Sequence, residues 1–143
     1  MPRTGALLAL SREHHTSLVM ARDARRAADN SDAAACSAAI NRIEAHWQGM
    51  MAAHVDQEER LLRMAADTLD PESMARIFAD HAELRALATG SCPLEPVARL
   101  RRFADLTITH VRYEERTFFP QLQGHPCVAA ASNTAGDPVP SNP

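Results

Sequence analysis

The chain has 143 residues, 45% of them hydrophobic and 23% charged, which is enough for one ordinary domain with a real core and too little for two. That balance excludes global disorder, and a net charge of −3 argues against a dedicated nucleic-acid binder. Only 4% is aromatic, and long Ala/Leu/Arg/Glu stretches favour helices over strands. All 15 basic residues are arginine, the bias expected of a GC-rich, bacterial genome. Cys36, Cys92 and Cys127 form no Cys-x-x-Cys pair and read as reduced thiols of a cytoplasmic protein. Arg12, Glu13, His14 and His15 interrupt the N-terminal apolar run. No run approaches the roughly 18–20 apolar residues of a membrane helix, so neither export nor a membrane partner is expected.

Four segments carry helical periodicity. The first runs from about Gly5 to Ala28, with a stripe of Leu7, Leu10, His14, Leu18, Ala21 and Ala28. The second runs from about Ser31 to Ala66 through Ile43, Trp47, Met50/Met51, His54, Glu58 and Leu61/Leu62. The third follows Asp70-Pro71-Glu72, an N-cap with proline in the first turn, and carries Met74, Ile77, His81, Leu84 and Ala88. The fourth begins near Leu94–Pro96 and carries Leu100, Phe103, Thr107, His110, Glu114 and Phe118, with Pro120 expected to end it. The short breaks, rich in turn formers, predict an all-α, up-down-up-down four-helix bundle over residues 1–123. Residues 124–143 read as a disordered C-terminal tail, being small, proline-rich and aperiodic.

The polar residues on those stripes carry the chemistry. His54-x-x-x-Glu58 and His110-x-x-x-Glu114 each place both side chains on one helix face, one turn apart. The segments around them repeat, since both read His-Val-x-x-Glu-Glu-Arg. The other two helices each carry an acidic residue followed by histidine, Glu13-His14 and Asp80-His81, so the chain reads as two helical hairpins related by a pseudo-twofold. Midpoints between these residues on successive helices fall at or near the three breaks, which puts His14, His54, Glu58, His81, His110 and Glu114 at roughly one level. A lone stripe histidine is a core residue more often than a ligand. Six donors at one level reverse that expectation, because two inward carboxylates need cations or strong partners. Four imidazoles and two carboxylates suit a pair of first-row metals (Fe, Zn, Cu or Ni) with open coordination positions, and disfavour calcium or magnesium.

This set resembles the hemerythrin-like, or HHE cation-binding, domain over about Leu7 to Pro120. The resemblance implies a bundle holding two iron ions, with His14, His54, His81 and His110 as terminal ligands and Glu58 and Glu114 as bridges. Zinc is the expected recombinant substitute, and a bridging oxo or hydroxo group is expected between the irons. Oxygen-carrying members have a further histidine where Arg85 stands and end in His-x-x-x-x-Asp. The present pattern is more similar to the bacterial six-ligand branch. The function so implied is binding or sensing of O2, NO or peroxide, or iron handling, with no nucleic-acid or membrane partner and with any output passing to a protein partner. A di-iron enzyme or repair factor acting on NO, peroxide or damaged iron-sulfur centres is the alternative. A metal-free helical interaction module is the third reading.

Several neighbours carry weaker expectations. His15 rivals His14, but its own stripe is too basic to face a core. Trp47 and Met50/Met51 read as core, and Tyr113 as a rim residue. Glu59 and Glu115 read as solvated groups or as partners of the ligands. Arg85 reads as a rim cation or a partner for an anionic ligand, and His46 and His125 as exposed.

Overall fold

The computed structural model describes residue 3 and residues 5–126. All regular structure among them is helical: α1 (Gly5–Asn30), α2 (Ala33–His46), a π turn (Trp47–Met51), α3 (Ala52–Met64), α4 (Pro71–Thr89), α5 (Pro96–Tyr113), a second π turn (Glu114–Phe118) and α6 (Phe119–Gln123). The residues at the π-turn junctions keep right-handed helical angles, so α2 to α3 and α5 to α6 are two continuous rods. With α1 and α4 they make a helical bundle of four rods. No helix of the described residues is long and apolar enough to cross a membrane.

The ends follow local chemistry. The Asp32 carboxylate accepts from the Ala35 amide at 2.8 Å, and the Asp70 carboxylate from the Ser73 amide at 3.0 Å. Each satisfies a helix-start donor that has no partner within the helix, worth about 1 kcal/mol. Pro71 and Pro96 occupy first-turn positions, where no amide is needed. Gly90 closes α4 at φ 83°, the left-handed angle that a Cβ would strain.

Pro120 does not end the last rod, contrary to the expectation from sequence. In the second π turn the Phe119 amide reaches back five residues to the Glu114 carbonyl. The widened turn makes room for the ring at Pro120, and helix continues to Gln123. The tail expected from Gly124 begins ordered. His125 is 9% exposed, and its Nε2 lies 3.2 Å from Asp67 Oδ1, so it is buried and not exposed as expected. The rest of that tail, including Cys127, lies outside the described residues. Cys36 and Cys92 are free thiols.

The core divides in two. One cluster is rich in large side chains: Leu10, Leu61, Leu62, Ile77, Phe118 and Phe119. The other is rich in small ones, with Ala21, Ala24, Ala28 and Ala39 around Trp47 and Phe103. The six stripe donors lie between the two clusters on every rod.

Candidate metal centre

Each rod delivers its donors by helix phase. His14 on α1 and His81 on α4 are 2% and 1% exposed, while His15 faces solvent. His54 and Glu58 come from consecutive turns of α3, and His110 and Glu114 from the end of α5 and the start of its π turn. Glu58 and Glu114 have no exposed surface. The six converge as two groups, His14/His54/Glu58/Glu114 and Glu58/His81/His110/Glu114, with ligand atoms inside each group within 4.8 Å of one another. Both glutamates belong to both groups. Nε2 of His14 is 2.8 Å from Glu114 Oε1, and Nε2 of His54 is 2.8 Å from Glu58 Oε2. Nε2 of His81 is 2.9 Å from Glu58 Oε1, and Nε2 of His110 is 3.1 Å from Glu114 Oε2.

Every histidine turns its other nitrogen to an outer carboxylate. The Nδ1–H of His14 donates to Glu115 at 2.7 Å, and that of His54 to Glu13 at 2.8 Å. The Nδ1–H of His81 donates to Glu59 and that of His110 to Asp80, both at 2.9 Å. These contacts fix the ring planes and leave each Nε2 facing inward. The pattern obeys the pseudo-twofold read from the sequence. The acid before each α1 or α4 histidine serves the histidine of the next rod, and the acid after each shared glutamate serves His81 or His14. Arg3, Arg63 and Arg76 lie 3.6, 3.6 and 3.9 Å from Glu115, Glu59 and Asp80 at the surface.

The inner carboxylates have no arginine, only imidazoles. His14 Nε2 and both Glu114 oxygens, though close, have no aligned hydrogen bond; they aim at shared space rather than at each other. Buried acceptors left so are costly, and a cation between them removes the cost. Imidazole nitrogens with shared carboxylates fit a pair of divalent or trivalent first-row metals.

The electrostatics agree in sign. Burial would lower the pKa of His14, but the close carboxylates of Glu114, Glu115 and Glu58 push it up to about 11. Burial likewise opposes, and carboxylate contacts overcome it, for His81 at about 10 and His110 at about 9. His54 is raised as well, by the Glu58 charge against the effect of burial. Burial and the Glu114 charge act to raise Glu58, yet the imidazoles hold it below its ordinary range, and Glu114 is held well below. Without metal, protons on the histidines do the work of cations. A proton held more tightly by the folded chain stabilises it fully below the free imidazole value of 6.5 and is lost as pH rises through the folded values. Chelator-treated protein is therefore expected to lose thermal stability from neutral pH to about pH 10, and metal-loaded protein to lose less. Melting curves across that range check this; a flat profile for the chelated protein would contradict it.

A cavity of about 20 Å³, room for a water or a ligand of two or three heavy atoms, opens beside the donors on the alanine-rich side. Its wall includes His14, His110, Trp47, Met51, Leu84 and Phe103. The Leu/Phe cluster on the other side of the donors contributes no residue to its wall.

Three sequence expectations change here. In the turn of α1 after His14 it is Ser17, not Leu18, that is buried, at 1% exposure. His46 is half-buried and not exposed; its Nε2 lies 3.3 Å from Ser17 Oγ, and burial together with nearby His54 lowers its pKa. Leu84 and Ala88, not Arg85, face the cavity. Arg85 is exposed, with its guanidinium 5.6 Å over the outer face of Trp47, so it offers no charge to a ligand inside. Tyr113 is at the rim, its hydroxyl donating to Ser73 at 2.7 Å.

The fold and site together define a helical bundle with buried His/Glu clusters able to hold metal. No family model, curated protein or solved structure matches the chain.

Proposed function

We propose that this is a hemerythrin-like protein that holds two iron ions between its four rods and binds or senses O2, NO or peroxide. One observation carries the reading: two four-donor groups share both of their fully buried carboxylates, and every histidine in them is braced at Nδ1 by an outer carboxylate. An up-down-up-down course is part of the proposal. It is supported by cross-rod contacts whose numbers run in opposite directions. Between the first and last rods these are Arg3–Gln123, His14–Glu115 and Arg25–Asp105; between the third and last, Asp80–His110, Glu83–Arg102 and Leu87–Arg99.

When bound, iron would supply electrons and open coordination positions for a small ligand. The chain's own part is to hold four Nε2 lone pairs inward, neutralise charge with Glu58 and Glu114, and keep bulk water out with an apolar wall. His14 and His110 both line the cavity, so one ligand from each four-donor group borders the space a diatomic molecule would fill.

Protein from iron-supplemented cells is expected to contain about two iron ions per chain. Elemental analysis beside the visible spectrum checks this. A stably folded protein that takes up neither iron nor zinc would overturn the proposal.

A further inference from the structure

The cavity wall carries one hydroxyl with no partner. Thr107 on α5 is 4% exposed and lines the cavity, and its Oγ1 has no hydrogen-bond partner. A threonine inside a helix can donate to a carbonyl three or four residues back. Thr89, the last residue of α4, does so to Arg85 at 2.7 Å. Thr107 does not. The other hydroxyl on the wall is engaged, since Ser17 Oγ donates to Met51 Sδ at 3.1 Å. Apart from the imidazoles of His14, His46 and His110, the rest of the wall is apolar, including Ile43, Trp47, Leu84 and Phe103.

A buried, unsatisfied hydroxyl costs stability wherever an isosteric valine would fit, so Thr107 is explained by something it donates to. We propose that Thr107 is the specificity-determining donor of this cavity, holding the outer atom of a small ligand that accepts a hydrogen bond. The class is a ligand of two or three heavy atoms with an accepting end, such as azide or a peroxide. The volume of about 20 Å³ admits nothing larger. Thr107 lies one turn before His110, so a ligand near that imidazole comes within the hydroxyl's reach. This assignment rests on the paired-metal reading, although the cavity and its hydroxyl exist without metal.

The test uses Thr107→Val, which keeps shape and removes the donor, and Thr107→Ser, which keeps the donor. Both variants should load as much metal as the wild type, because Thr107 is outside the donor set. Azide titration of loaded protein, followed in the visible, should show about tenfold or greater weakening for Thr107→Val, the effect of losing a hydrogen bond to a charged acceptor. Thr107→Ser should stay near wild type, and the affinity for nitric oxide should change little. Equal azide affinity in Thr107→Val at full metal content would overturn the assignment. A metal-free measurement separates its failure from failure of the paired-metal reading. A crystal structure of chelated protein should show a water on Thr107 Oγ1 inside the cavity, whether or not the protein takes up metal. A dry cavity, with Thr107 bonded to the Phe103 carbonyl, would overturn the proposal on its own.

Discussion

Glu114→Ala is expected to reduce metal content from about two ions per chain to well below one, whereas His14→Ala should retain about one. The difference is geometric. Glu114 approaches Nε2 of His14, His81 and His110 at 2.8, 3.7 and 3.1 Å, so it serves both four-donor groups. His14 serves only one. Glu115→Gln tests the same logic from outside. That residue braces His14 Nδ1 at 2.7 Å and does not face the donors. It should leave the stoichiometry intact and weaken affinity by roughly 10- to 100-fold, the usual effect of losing a carboxylate behind a ligand histidine. Elemental analysis and competition with a chelator read both quantities, and circular dichroism checks that the helices persist. Equal metal loss in Glu114→Ala and Glu115→Gln would show that helix phase does not separate donors from braces.

The largest effect on stability is expected at Phe119. It is fully buried, its ring stacked on His14 with centroids 5.3 Å apart and planes 15° apart. Arg3 lies 5.8 Å from the ring centroid. Phe119→Ala removes a large side chain from the tightly packed cluster and should cost about 3–5 kcal/mol, a fall in Tm on the order of 10–20 °C. It also removes the surface that holds the His14 imidazole in plane, so it should weaken metal binding beyond what instability explains. Leu62→Ala, in the same cluster and equally buried, is the control, with a cost of about 2–5 kcal/mol and no ring to stack on an imidazole. Thermal melts and metal titration of both variants separate packing from site support. A Phe119→Ala protein melting within a degree or two of wild type would refute the packing argument.

Periodicity exposed part of this. The breaks at Asp29–Asp32, Asp67–Pro71 and Thr89–Pro93 are local chemistry, and the Asp70 cap forms as read. Each helix also repeats often enough to show that His14 and not His15 shares the Leu7–Leu10 face. The π turns were less legible. Successive spacings of four, as in Ile43–Trp47–Met51 and His110–Glu114–Phe118, are their trace. Ser73–Ile77–His81 has the same spacing in unbroken α-helix, so spacing does not identify them. The passage of helix through Pro120 depends on the second of these turns, so the periodicity does not show it.

By itself the sequence determined the helical class, the positions of the four rods and the common level of six donors, because helix phase and turn chemistry act within a few residues. Only the tertiary structure decided which carboxylate braces which histidine. Glu115 and His14 are 101 residues apart, and their pairing depends on how the first and last rods are set against each other. The same holds for the cavity. Alanines on one side of the donors and Leu and Phe on the other are visible in the chain, but whether small residues leave a space depends on how closely the rods approach. The contacts of His46 with Ser17 and of His125 with Asp67 likewise join segments that periodicity does not connect.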